Sequence, residues 1–160
     1  MFKKILVANR GEIAVRIIRA CKELNINTVA IHSNVDTDAM HVKLANESIC
    51  VGSALPNGSY LNIPSIVSAI DITGADAVHP GYGFLSENDK FSKILNSHKV
   101  KFIGPSSKSI LELGNKSNAL NLASDFGLPI LGDKNSKNIE NTSDAKKKAD
   151  EIGLPIVIKA

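Results

Sequence analysis

Ile5-Leu6-Val7-Ala8-Asn9-Arg10-Gly11-Glu12-Ile13-Ala14 passes from an apolar run through a polar turn into a helical pattern. Ile5 to Ala8 has no polar break. A strand covered on both faces requires that, because alternate side chains enter two apolar layers. Asn9 followed three positions later by Glu12 has capping-box spacing. It predicts that Asn9 caps a helix while Glu12 reaches back to the free amide. Apolar residues then recur at Ile13, Ala14, Ile17, Ile18, Cys21 and Leu24, which is helical period. Asn25 and Asn27 end that helix, and Thr28 to His32 is a second β-rich run.

Moving outward, the rhythm repeats. The pattern predicts a helix over Asp36–Ala45, a strand over Ser48–Val51 and an amphipathic helix over Asn62–Ile72. A strand at Ala77–His79, a helix at Asn88–Leu95 and a strand at Val100–Ile103 follow. Strands alternating with helices imply parallel βαβ units, so the expected fold class is α/β, an open parallel sheet with helices on both faces. Ligands on such sheets bind at the carboxyl ends of the strands. That points to three loops: Asn9–Glu12, His32–Asp38 and His79–Glu87.

After Gly104-Pro105 the alternation stops. Ser106 can cap a helix reaching Leu113, and a second helical stretch runs from Lys116 to Phe126, closed by Gly127-Leu128-Pro129. Asp133 to Thr142 is rich in Lys, Asn and Asp and reads as a surface loop. Ser143 to Ile152 reads as a charged helix and Pro155 to Lys159 as a strand without local apolar partners. The expected division is residues 1–104 as one domain, 105–130 as connecting helices and 131–160 as an incomplete second unit.

Composition excludes several classes. The chain is 43% hydrophobic and 22% charged, with 4% aromatics and no Trp, so its core is aliphatic. A net charge of +3 without Lys/Arg runs interleaved with aromatics argues against nucleic acid as a partner. Lys146-Lys147-Lys148 reads as a solvated helix face. No apolar run approaches the roughly 20 residues of a membrane span. Cys21 and Cys50 lie in apolar patterns and read as reduced, buried thiols of a cytosolic protein. The four histidines lack metal-ligand spacing.

Three motifs carry a resemblance. They are the opening Ile5–Ala14 stretch, Ser59-Tyr60-Leu61-Asn62-Ile63-Pro64, and His79-Pro80-Gly81-Tyr82-Gly83-Phe84-Leu85-Ser86-Glu87-Asn88. Together they resemble the biotin carboxylase family, as found in acetyl-CoA, propionyl-CoA and pyruvate carboxylases. Further matches run through Phe102-Ile103-Gly104-Pro105, Gly114-Asn115-Lys116 and Ile158-Lys159-Ala160, in order along the whole chain. The resemblance implies a Rossmann-like pre-ATP-grasp domain followed by the start of the ATP-grasp lid. It implies an ATP-grasp ligase, using ATP, Mg²⁺ and bicarbonate to carboxylate biotin on a carrier protein through carboxyphosphate. The implied partners are the biotin carboxyl carrier protein, a carboxyltransferase component and a second copy of the enzyme.

Phosphoryl transfer needs compact cations against the triphosphate. Lys159, at the end of an apolar strand, could supply one or could be a solvated strand end. The resemblance implies ATP contacts for both Lys116 and Lys159. Asn115 departs from the Asp expected before Lys116, which puts the orientation of that lysine in question. Gly81 and Gly83 allow close backbone approach or positive φ around His79, Tyr82 and Glu87. The loop reads either as a rigid turn or as the bicarbonate and biotin side of a site, with His79, Tyr82, Gly83 and Glu87 as its candidates. Asn9–Glu12 lacks a full GxGxxG, and the resemblance gives it an architectural role. Glu12, Arg16, Arg19 and Glu23 form a stripe at spacings of 4, 3 and 4, which is either a helix surface with two i,i+4 pairs or a two-fold interface. In the resemblance Arg16, Arg19 and Glu23 belong to a dimer contact. The resemblance implies that the metal-binding carboxylates and the catalytic base lie further on in the family. It points first to the subunit of a bacterial acetyl-CoA carboxylase in fatty acid synthesis. The rivals are the same portion of a propionyl-CoA or pyruvate carboxylase, a non-catalytic assembly module of this fold, and a different ATP-grasp ligase, against which the His79–Asn88 motif argues.

Overall fold

The structure, a computed structural model, describes residues 1–130 and 141–156. By contacts the chain divides into two units, Met1–Leu111 and Glu112–Ala160. In the first unit, five parallel strands form one sheet in the order β3-β2-β1-β4-β5. They are β1 (Lys4–Val7), β2 (Asn27–Ser33), β3 (Glu47–Gly52), β4 (Ala77–His79) and β5 (Lys101–Phe102). The central strand β1 pairs with β2, Lys4 to Val7 against Asn27 to Ala30, and with β4, Ile5 to Val7 against Ala77 to His79. This matches the expected open parallel sheet, with β3 and β5 as its edges.

The apolar run of β1 divides its side chains between two cores. Ile5 and Val7 face helix α1 (Gly11–Glu23), packing with Ala14, Ile17, Ile18 and Cys21. Leu6 and Ala8 face the opposite layer, with Val29, Ile31 and Val78 and with Ile66, Ala69 and Ile70 of α3 (Ile63–Thr73). Phe91 and Leu95 of α4 (Asp89–Ser97) complete that layer, and the Phe91 ring meets Phe102 edge-on at 6.1 Å. Leu6, Val29 and Val78 have no exposed surface. Burying such a side chain stabilises the fold by about 1.5–3 kcal/mol.

The caps follow the sequence at most helix starts. The Asn62 side chain accepts from Ser65 N at 3.2 Å, and that of Asn88 from Phe91 N at 2.8 Å. Ser106 Oγ accepts from Ser109 N at 3.1 Å, opening α5 (Ser107–Gly114). Gly74 ends α3 in the left-handed region at φ 65°, where a Cβ would be strained. Ile110 of α5 is buried in the α3–α4 layer, which carries the first unit past Gly104 to Leu111. In the second unit, Asn115 Oδ1 accepts from Asn118 N at 3.1 Å at the start of α6 (Lys116–Asp125). Asn141 caps α7 (Thr142–Ile152) through Asp144 N at 2.9 Å.

Three local expectations are corrected. Cys50, expected to be buried with Cys21, is exposed on the edge strand β3, while Cys21 is buried. The helix expected over Asp36–Ala45 is only α2 (Met40–Leu44). Asp36 instead turns its carboxylate back onto Ser33, Tyr60 and Arg10, which removes the first turn from the helix. The Asn9–Glu12 capping box does not form. Arg10 is the N-cap of α1 and makes no side-chain cap bond; the Asn9 Oδ1 that would cap accepts from Arg10 N, its Nδ2 holds the Pro80–Tyr82 loop, and Glu12 accepts from Tyr82. The strand expected over Pro155–Lys159, beyond its first two residues, and the loop expected over Asp133–Thr142, up to Glu140, lie outside the described residues.

Candidate functional site

Strand order reverses between β1 and β4. The chain builds outward from β1 through β2 to β3, then returns to place β4 on the other side of β1. A crevice opens outside the carboxyl ends of the strands at such a switch point. Here it is an open cleft of ≈ 450 Å³ between Asn9–Ile13 and Tyr82–Phe84. Of the three loops marked by sequence, two therefore form the cleft walls.

Each wall holds the other. Asn9 is 3% exposed, and its Nδ2 donates to Pro80 O at 2.7 Å and to Tyr82 O at 2.8 Å. The Tyr82 hydroxyl donates to Glu12, the acid expected to close a capping box. That bond pushes the Tyr82 hydroxyl above its ordinary value, because deprotonation would set two anions together. Gly81, Gly83 and Phe84 all have positive φ, at 65°, 68° and 38°. For Phe84 that is a strained backbone, costing roughly 1–3 kcal/mol unless the surroundings impose it.

The surroundings do impose it. The Phe84 ring stacks on Tyr60 with centroids 5.2 Å apart, and the Arg10 guanidinium lies 5.2 Å from the Tyr60 ring and 5.8 Å from that of Phe84. Such cation–π contacts contribute about 0.5–1 kcal/mol at exposed sites. Tyr60 is fully buried, accepts from Ser33 N at 3.1 Å and donates to Asp36 at 2.6 Å. Burial first, then the Asp36 bond, push its hydroxyl up to about 12. Asp36 also accepts from Ser33 Oγ at 2.7 Å and from Arg10 at 3.4 Å. The Tyr60 bond leads in holding its carboxyl below the usual range. The third marked loop thus braces the cleft through Arg10 and Tyr60.

His79 ends β4 beside this cleft. Its Nδ1 accepts from Gly81 N at 3.0 Å, so the neutral ring carries its proton on Nε2. Burial lowers the imidazole below its ordinary value and favours that neutral form. Tyr82 and Gly83 line the cleft, while Glu87 is exposed on the same loop. Lys116 begins α6 in the second unit, and Lys159 lies outside the described residues. Arg16, Arg19 and Glu23 are exposed on α1. Among the described residues, no ion pair joins Glu12 to Arg16 or Arg19 to Glu23. The i,i+4 pairing expected for a plain helix surface is therefore unmade. Among the described residues, no group of three or more His, Cys, Asp or Glu side chains could hold a metal ion.

Sequence reading missed the bracing set of Arg10, Asp36, Tyr60 and Phe84. Tyr60 and Phe84 sat in conspicuous motifs, but no local pattern announces a bond to Asp36 across 24 positions.

An all-parallel α/β sheet with a braced cleft at its switch point places the chain in the doubly wound class, whose ligands bind in such crevices. Residues 1–110 match the family described as biotin carboxylase, N-terminal domain, and the chain belongs to that family. It is 49% identical over 160 residues to biotin carboxylase 1 of Bacillus subtilis, covering 100% of this chain and 35% of that protein. It is 48% identical over 159 residues to the mitochondrial propionyl-CoA carboxylase alpha chain of Caenorhabditis briggsae, covering 99% of this chain and 21% of that one. The biotin carboxylase domain dimer of 2-oxoglutarate carboxylase from Hydrogenobacter thermophilus, solved with MgADP, ADP and bicarbonate, superposes with a TM-score of 0.88. That match has 44% identity and covers 97% of this chain and 34% of the other. The chain thus spans about a third of the length of biotin carboxylases it matches.

Proposed function

We propose that the chain is the amino-terminal portion of a biotin carboxylase, an ATP-grasp ligase that carboxylates carrier-bound biotin with bicarbonate. ATP activates bicarbonate as carboxyphosphate, and the carboxyl group passes to biotin. The observation that carries this reading is the β1–β4 cleft, whose walls are two of the family's motifs, Asn9–Ala14 and His79–Asn88, locked together by Asn9 and Glu12. We assign the Tyr82 hydroxyl and the Gly83 backbone, which line it, and His79 and Glu87 of the same loop, to the bicarbonate and biotin side. A half-buried His79, its imidazole lowered below the ordinary value and its Nδ1 accepting from Gly81 N, holds a defined neutral tautomer for that purpose.

Residues 105–130 serve as connecting helices, and 131–160 begin the ATP-grasp lid. Lys116 and Lys159 bind ATP phosphates, and the ligands of Mg²⁺ come from other parts of the enzyme. Arg16, Arg19 and Glu23 form a two-fold contact in a dimer. The enzyme works in the cytoplasm with a biotin carboxyl carrier protein and a carboxyltransferase, as the acetyl-CoA carboxylase subunit that feeds fatty acid synthesis. The 48% identity to a propionyl-CoA carboxylase chain supports a second reading, in which the same portion serves a propionyl-CoA or pyruvate carboxylase.

The test is radiolabelled bicarbonate transfer to free biotin by the full-length enzyme. These 160 residues alone should be inactive. Lys116→Ala and Lys159→Ala should each raise the KM for ATP about tenfold or more, and Lys146→Ala, on α7, should not. Equal effects of all three would contradict the phosphate assignment, and absent transfer would leave a non-catalytic assembly module.

A further inference from the structure

Asn9 stands where the two cleft loops meet, and the helix it precedes makes no use of its side chain. Its amide has two hydrogens, and both are committed, one to Pro80 O at 2.7 Å and one to Tyr82 O at 2.8 Å. Its Oδ1 accepts from Arg10 N at 2.9 Å, fixing which way the amide faces. One buried side chain thereby sets the two carbonyls that flank Gly81. The fit leaves no slack. A Cβ on Gly81 would stand 2.8 Å from Asn9 Nδ2 and 3.1 Å from Ile13 Cγ1, at a φ of +65°. Asp has the same outline as Asn but would turn a carboxylate oxygen towards two carbonyl oxygens.

We propose that Asn9 is a positioning residue for the biotin side of the site. Its amide sets the backbone from Pro80 to Tyr82 and hence the place of the Tyr82 hydroxyl and the Gly83 amide. The inference rests on the biotin carboxylase reading above. It assigns Asn9 no contact with substrate.

The test is steady-state kinetics of Asn9→Asp in the full-length enzyme, with free biotin as the probe. At alkaline pH the KM for biotin should rise about tenfold while the KM for ATP stays within about twofold, since one strong polar contact is exchanged for a repulsion. As pH falls, protonation of the new carboxyl restores one donor, so the biotin KM should converge on that of the wild type. Gly81→Ala attacks the same contact from the loop and should give the same biotin-selective rise without the convergence. It decides the matter by that split if Asn9→Asp does not fold. Equal rises in both KM values, or an unchanged biotin KM in folded variants, would overturn the proposal. A wild-type enzyme without biotin-dependent turnover would sink the functional reading instead. Hydrogen exchange on the chain would then decide the staple. The Ser86 and Asn88 amides, bonded to Gly83 O and Leu85 O, should exchange faster in Asn9→Asp while those of β1 do not. Unchanged exchange there would overturn it.

Discussion

Tyr60 shows how a single side chain ties a loop to a core. Its ring is fully buried under Phe84, while its hydroxyl joins Ser33 N and Asp36. Tyr60→Phe keeps the ring and removes both bonds, leaving Ser33 N and one Asp36 lone pair unmet. Urea denaturation should report a loss of about 1–3 kcal/mol, the usual cost of stranding buried polar partners. A loss below about 0.5 kcal/mol would mean that the hydroxyl does not brace the His32–Asp38 loop. His41 gives the pH signature. It is 1% exposed, its Nε2 meets Ile31 O at 3.2 Å, and its Nδ1 has no partner among the described residues. Burial holds its pKa in the fold below the ordinary 6.5. The unfolded chain therefore takes up the proton first. The stability is complete above about pH 6.5 and falls as pH drops towards the folded value, by up to about 1.4 kcal/mol per unit. His79 is shifted in the same direction and adds to the slope. His41→Gln should flatten the slope between pH 6.5 and 5, and a slope unchanged by that substitution would assign it elsewhere. None of this was legible in sequence, where Tyr60, His41 and Asp36 are single letters far apart. Asn9 was legible as important but misread, since the spacing to Glu12 fits a cap and cannot show that the Pro80–Tyr82 loop competes for both side chains.

At the level of elements, sequence served best where one helix start decides its own chemistry. Asn62, Asn88 and Ser106 cap the helices they precede, because each bond spans only three residues. It served worst at α2, where five helical residues stand in place of ten expected ones and the missing turn is spent on Asp36 contacts. Helix α1 raises a different question. Its inner face is fixed by Ile17, Ile18 and Cys21, but Arg16, Arg19 and Glu23 stay exposed and unpaired among the described residues. Helix stability therefore gains little from them, and the contact with a second copy proposed above would give the stripe a purpose. Arg16→Glu with Arg19→Glu leaves Glu12, Glu23 and two new acids on one face, repelling their symmetry mates. Light scattering on the full-length double variant should report monomers with an unaltered circular dichroism spectrum. A persisting dimer would return the stripe to solvent.

For the whole molecule, the class of fold was legible because alternation of strand and helix leaves few arrangements, and the apolar β1 had to be covered on both faces. Strand order was not legible. Only the return of β4 to the far side of β1 places Asn9–Glu12 and His79–Glu87 together, with the His32–Asp38 loop as support. On the proposed function, this switch-point cleft is the biotin side of a carboxylase. Tyr82 is the residue to test, being 58% exposed at the cleft with a hydroxyl bonded only to Glu12 among the described residues. In the full-length enzyme, initial rates for Tyr82→Ala over ranges of biotin and ATP should show a biotin KM raised about tenfold and an ATP KM unchanged. A biotin KM equal to the wild type, in a folded and active variant, would contradict the account.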